Sequence, residues 1–207
     1  MSADYVAEPA GAGIPEAAGR GGCRMEYQVH KQGKRVFLRP LSLEDSPLVV
    51  RWRNNPRVRE NYIYREPFTL EGQEAYYRDV IQAGKAVQAV ICEKKTGMPA
   101  GCCVLNHLDF ARKQCEFGFF IGEDSARGKH FSSEAAHLML DYAFTDLSMT
   151  RAYSRIFVFN APSLKGTGGS GFVIAGRCLK VRCTDGFCSD MYMSECLKDN
   201  FYGKQNG

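Results

Sequence analysis

The stretch "FGFFIGEDSARGKHFSSEAAHLML", Phe117 to Leu140, carries the change of period on which the fold turns. The run Cys115 to Ile121 is rich in aromatic residues and reads as a strand. From Ser132 onward, Ala135, Leu138, Met139, Tyr142, Ala143 and Leu147 recur at spacings of three and four, the buried face of an amphipathic helix. A strand therefore feeds a helix through a short loop, and the small residues Ser132 and Ser133 open the helix. Unpaired N–H groups at such a start carry about half a positive charge, which attracts an anion. Arg127 and Lys129 in the loop add to that attraction. The arrangement predicts a seat for a pyrophosphate.

A second glycine-rich stretch competes for that role. "LKGTGGSGF", Leu164 to Phe172, sets Gly166, Gly168 and Gly171 at the spacing of the dinucleotide fingerprint G-x-G-x-x-G. That fingerprint must follow a strand directly and open a helix. Here "NAPSLK" separates the glycines from a strand ending near Phe159, and "FVIAGRCLKV" behind them alternates as a strand does. An ATP-type loop around Gly128-Lys129 would need a glycine at 123 and a hydroxyl at 130, where Glu123 and His130 stand.

Upstream, "RVFLRPL" alternates as a strand, and Ser42 is placed to cap a helix that turns Leu43, Leu48, Val49 and Trp52 inward. Asn54, Asn55 and Pro56 break that helix, and a second is predicted over Thr69 to Ala83, capped at Thr69. The runs "KAVQAVICEKK", "PAGCCVLNHLD" and "KQCEFGFFIG" read as three antiparallel strands. After the main helix come the strand "RAYSRIFVF", a short helix or loop, and two strands joined through "CTDG". The fold class is α/β (α+β), a mixed sheet.

In 207 residues, 44% apolar and 24% charged, there is room for one well-buried core. The Ala-, Gly- and Pro-rich residues 1–24 cannot bury enough surface to order themselves and read as a disordered leader; residues 35–198 read as a single domain and 199–207 as a tail. No stretch resembles a secretory signal or a bilayer span, so the expected location is cytoplasmic. Nine cysteines, mostly in apolar runs and never paired as C-x-x-C, point to buried thiols, and no metal is expected. The net charge of +4 is mild, although "RWRNNPRVR", Arg51 to Arg59, gathers four arginines around Trp52 and suits an acidic or phosphorylated partner.

The order of elements and the loop Arg127-Gly128-Lys129-His130-Phe131-Ser132 resemble the GNAT family of acyl-CoA-dependent N-acetyltransferases, whose signature is Gln/Arg-x-x-Gly-x-Gly/Ala after the fourth strand. His130 stands in place of the first required glycine and Ser132 in place of the last small residue. The likeness extends over about Arg35 to Leu197. It is nearest the branch of ribosomal-protein N-terminal, amino-sugar and spermidine acetyltransferases, through "FLRPLSLED", "WRNNPRVR", "CEFGFFIG", "EAAHLMLDYAF" and "NAPS" followed by "GF". It implies a mostly antiparallel central sheet of about seven strands flanked by helices, and acetyl-CoA as cofactor. "LKGTGGSGF" then falls where relatives carry a helix, here weakened by glycines.

By the same resemblance, the backbone of Phe119, Phe120 and Ile121 pairs with the pantetheine arm, and Arg127, Gly128, Lys129, His130, Phe131, Ser132 and Ser133 hold the pyrophosphate. Asn160 orders the cofactor arm, and Ser163 lies beside it and protonates the departing thiolate. Glu116 is the carboxylate placed to take a proton from the amine, and Trp52, Arg53, Asn54, Tyr62 and Tyr64 line the acceptor groove. Ala175 replaces a second glutamate common in the ribosomal branch. His107 and His137, lone histidines in a strand and a helix, receive no role. The expected acceptor is a small primary amine, an amino sugar, or a protein N-terminus, with a polyamine disfavoured by the arginines; a homodimer is possible. A non-catalytic acyl-CoA-binding module of the same fold is the rival reading, and nucleic acid is not expected as a partner because no stacking motif accompanies the basic residues.

Overall fold

The computed structural model describes residues 27–203, so the leader expected over 1–24 lies outside the described residues. Eight strands form one sheet in the order β1-β2-β3-β4-β5-β6-β8-β7. They are β1 (Lys31–Gln32), β2 (Val36–Pro40), β3 (Val87–Glu93), β4 (Pro99–Asp109), β5 (Gln114–Ile121), β6 (Arg151–Phe157), β7 (Val173–Arg182) and β8 (Cys188–Leu197). Every neighbouring pair is antiparallel except β5 and β6. The eighth strand is β1, two residues long and too short to leave a periodic signal.

Helices cover both faces. The longest, α4 (Phe131–Thr145), buries Ala135, Met139, Tyr142 and Ala143 of the expected stripe against one face, with Leu138 and Leu147 only partly buried and Phe131, Ala136, Leu140 and Phe144 widening the buried surface. The other face receives α1 (Ser46–Asn54), the single turn α2 (Pro56–Arg59), and α3 (Leu70–Tyr76). Thr69 caps α3 by accepting the Gly72 N–H at 3.1 Å, and the helix then loosens into a π-turn over Tyr77–Ile81. Because both faces are covered, β3 is buried from Val87 to Cys92 without alternation. Val49 and Trp52 of α1 point inward, but Leu43 does not: Ser42 opens a 3-10 turn, Leu43–Asp45, that leaves Leu43 37% exposed.

The packed unit is wider than residues 35–198. Val29 and Phe201 are both buried in the main core, the latter on α6 (Lys198–Gly203). Between β6 and β7 the glycine-rich stretch does form a helix, α5 (Ala161–Gly168), capped by Asn160, whose side chain accepts the Ser163 N–H. The eight cysteines among the described residues are free, and burial pushes the Cys102 and Cys115 thiols up to about 12. No helix among the described residues is long and apolar enough to cross a membrane.

Candidate active site

The central feature is a fork in the sheet. β5 is registered with β4 from Gln114 to Ile121, while its parallel register with β6 runs only from Gln114↔Arg151 to Glu116↔Tyr153. β6 is held by β8 over its whole length and follows that hairpin away. Beyond Glu116, the β6-facing peptide groups of β5 therefore have no strand partner. Such groups seek hydrogen bonds, and an extended amide-bearing arm can supply them in place of a strand.

Side chains of β5 alternate across the sheet. Phe117, Phe119 and Ile121 turn toward the α4 core, whereas Glu116, Gly118 and Phe120 face α1 and the segment between α2 and α3.

At the top of the fork, α4 starts with its N–H groups directed at the loop. His130 adopts φ 60°, ψ 26°, and Gly128 has φ 76°. The left-handed region is where glycine is at ease; histidine tolerates it better than most residues, at about 1 kcal/mol. The departure from the signature is therefore accommodated in the backbone, with the exposed His130 side chain outside the core. Arg127 is paired with Asp124 at 2.9 Å and Lys129 with Glu93 at 3.2 Å, so both loop cations have carboxylate partners. Phe131 is 4% exposed and has only its main chain to offer. Ser133 Oγ donates to the His130 carbonyl, and the turn after α5 is tied to this corner by Ser170, whose hydroxyl donates to the Ser133 carbonyl at 3.0 Å. The unpaired peptide edge of Phe119 to Ile121 could hold an extended amide-bearing arm, and the 127–133 loop at the start of α4 could hold an anion, with Asn160 and a half-buried Ser163 alongside.

At the base of the fork sits Glu116, largely buried. Arg155 of β6 donates from Nε to Oε1 at 2.9 Å and from a terminal nitrogen to Oε2 at 3.2 Å, and His107 Nδ1 lies 2.9 Å from Oε2. Burial raises the carboxyl's pKa, but the His107 and Arg155 contacts outweigh it and hold Glu116 below the usual carboxylate range. Neither partner belongs to the expected site. Arg155 was legible in the alternation of "RAYSRIF"; His107 was not.

The residues expected to line the acceptor groove divide. Trp52 is 1% exposed and packs on Gly122, where a Cβ would lie 2.2 Å from the indole, while its ring N–H donates to Glu123; it is core. Asn54 is structural, exchanging two 2.8 Å hydrogen bonds with the Phe68 backbone and so tying α1 to the approach of α3. Arg53, Tyr62 and Tyr64 do come together. The Arg53 guanidinium lies 3.4 Å from the Tyr62 ring centroid and 4.4 Å from that of Phe68, and Tyr62 stands edge-on to Phe120. The Arg53 Nε is buried without a hydrogen-bond partner among the described residues. Tyr64 stands edge-on to Phe68.

The model of the acetyltransferase (GNAT) domain matches residues 35–173. An uncharacterised N-acetyltransferase, p20 of Bacillus licheniformis, is 30% identical over 177 residues, covering 82% of this chain and 97% of its own. A spermidine N(1)-acetyltransferase of Escherichia coli K12 is 28% identical over 144 residues, 69% of this chain and 75% of its own. Among solved structures, spermidine N-acetyltransferase from Vibrio cholerae in complex with CoA and spermine superposes with a TM-score of 0.74 at 21% identity, over 81% of this chain and 98% of that one. A forked sheet, a helix start at the head of the fork and these likenesses have one common reading: the chain belongs to the GNAT family of acetyl-CoA-dependent N-acetyltransferases.

Proposed function

We propose that the acceptor is a primary amine carried on an anionic molecule, an amino sugar linked to a phosphate or nucleotide, or a protein N-terminus with acidic residues near it. The observation that carries this reading is Arg53, a cation set among Tyr62, Phe68 and Phe120 on the Glu116 face, its Nε buried without a hydrogen-bond partner among the described residues. A guanidinium so placed favours a carboxylate or phosphate and opposes a polycation. Four residue steps along β5, roughly 13 Å of strand, separate Glu116 from Phe120, which suits an acceptor longer than a simple amine.

When bound, acetyl-CoA supplies an activated acyl group at the base of the fork. Peptide groups of Phe119 to Ile121 align it and Asn160 steadies the neighbouring helix. Glu116 presents negative charge to the incoming ammonium, and Ser163 is the hydroxyl available to protonate the departing sulfur. A polyamine acceptor is the second reading, favoured by the relatives named for spermidine.

Thiol release from acetyl-CoA over acidic N-terminal peptides, phosphorylated or nucleotide-linked amino sugars and spermidine separates the two. We expect spermidine to trail the best anionic amine by at least about tenfold in kcat/KM, and Arg53→Gln to erase the difference, as the loss of one charge-assisted pair of about 1.5–3 kcal/mol requires. Spermidine as the best substrate, with Arg53→Gln without effect, would overturn the proposal.

A further inference from the structure

We infer that His107 is the base that removes the proton from the acceptor ammonium, with Glu116 as the group that positions it. The inference rests on the acetyltransferase reading above and adds a residue to its chemistry.

The argument begins with a defect in the sheet. Between the register pairs Asn106↔Glu116 and Asp109↔Gln114, β4 advances three residues while β5 advances two. The extra residue makes a β-bulge, a device that re-aims a side chain. His107 sits in it at φ 48°, a left-handed conformation that a side chain rarely adopts. Leu108 packs on the α4 core, and His107 is delivered to the opposite face, where its Nδ1 meets the Glu116 carboxylate at 2.9 Å. A strained residue persists only where its surroundings hold it, and such residues gather at functional sites.

The contact has a chemical sense. Glu116, held as an anion by Arg155, is a weak proton acceptor at neutral pH, but it can fix an imidazole as the Nδ1–H tautomer and stabilise the imidazolium that follows. The side chain of His107 is 34% exposed, whereas that of Glu116 is 14% exposed, so the ring reaches solvent more readily than the carboxylate. Among the charged and titratable groups facing this pair are Arg155 and Tyr153 on β6 and the buried Cys115 on β5. All lie at the base of the fork, where the β5–β6 register ends.

In the step itself, Nε2 of His107 takes one proton from the ammonium; the N–H bond breaks and its electron pair stays on nitrogen for attack. Overall, ammonium and thioester give amide, thiol and one proton. That last proton is the one His107 returns to water, while the second N–H proton ends on the thiol.

His107→Gly separates catalysis from structure, because glycine accepts the bulge conformation. We expect kcat to fall by about 10²-fold or more, CoA affinity measured by calorimetry to hold, the melting temperature to stay level or rise, and imidazole added to the buffer to restore part of the rate. Independently of turnover, nitrogen NMR of the wild-type chain should show His107 protonated on Nδ1, and Glu116→Gln should change that signal. An unchanged kcat with CoA still bound, or an Nε2–H tautomer in the wild type, would overturn the inference alone. A wild-type chain that fails to bind CoA would overturn the acetyltransferase site, and this step with it.

Discussion

At the level of single residues, the position that departs most from the family signature makes the sharpest prediction. His130 stands where a glycine is expected and holds φ 60°, a conformation that costs a side chain about 1 kcal/mol. His130→Gly should therefore raise the unfolding free energy by up to about 1 kcal/mol or leave it level, the relief of strain being partly offset by the greater freedom of glycine in the unfolded chain. It should also tighten CoA binding, since the loop loses a bulky neighbour to the diphosphate. Urea unfolding and calorimetry check the two halves; a stability loss above about 1 kcal/mol would show that the imidazole makes a contact worth more than the strain. The motif itself was legible because main-chain chemistry leaves a composition trace in its loop. The Glu116 cluster was legible only in part. Arg155 follows from strand alternation, whereas His107 reaches Glu116 through a bulge, and a one-residue slip between two strands has no signature in either strand alone.

Among the elements, α5 tests how far propensity survives packing. Its glycines were expected to weaken the helix, yet they occupy two different environments. A Cβ on Gly166 would come 3.2 Å from Phe119 Cζ and 3.4 Å from Ser132 Oγ, so this glycine lets α5 close on β5 and the start of α4. A Cβ on Gly168 would meet nothing within 4 Å. Gly168→Ala should then stabilise the protein by about 0.5–1 kcal/mol, the ordinary helix preference of alanine over glycine. In Gly166→Ala the same gain must be set against moving Phe119, whose backbone is proposed to pair with the cofactor arm, so CoA affinity should fall even where stability is kept. Thermal melts and CoA titrations of the two variants provide the comparison. Equal CoA affinity in both would mean that α5 takes no part in shaping the fork. Element order was readable from periodicity, since α4 and the strands each hold one face to a core. The outward position of Leu43 was not, because the Arg39–Asp45 pair, joined at 2.7 Å, together with the Ser42 bonds to the same carboxylate, stops the first turn from aligning with α1.

Across the whole molecule, four carboxylates tie the layers together, and their titration sets a common acid limit. Asp45 joins α1's approach to Arg39 on β2; Glu134 of α4 accepts from the Arg35 backbone and guanidinium; Asp146, just past α4, meets Lys31 on β1; and Glu116 links β4, β5 and β6. Burial raises the pKa of each, and the hydrogen bonds and cations facing them bring all four below the usual range. A carboxyl whose pKa is depressed by folding contributes stability that is complete above its unfolded value, about 4, and is lost as pH falls through the folded value. Stability in urea should accordingly be flat from pH 7 to about 5 and decline steeply below about 4. Protonation of the exposed acids over the same interval adds positive charge to a chain already at +4, which acts in the same direction. Because Arg35 is half-exposed, Glu134→Gln should cost only about 1 kcal/mol at pH 7. Asp45→Asn leaves Arg39 facing a neutral amide in a more enclosed setting and should cost about 1.5–3 kcal/mol. Both variants should show a shallower acid slope than the wild type, since each removes one proton-binding difference between the folded and unfolded chains. If the slopes of all three coincide, the acid limit belongs to general charge repulsion, and these ion pairs do not govern it.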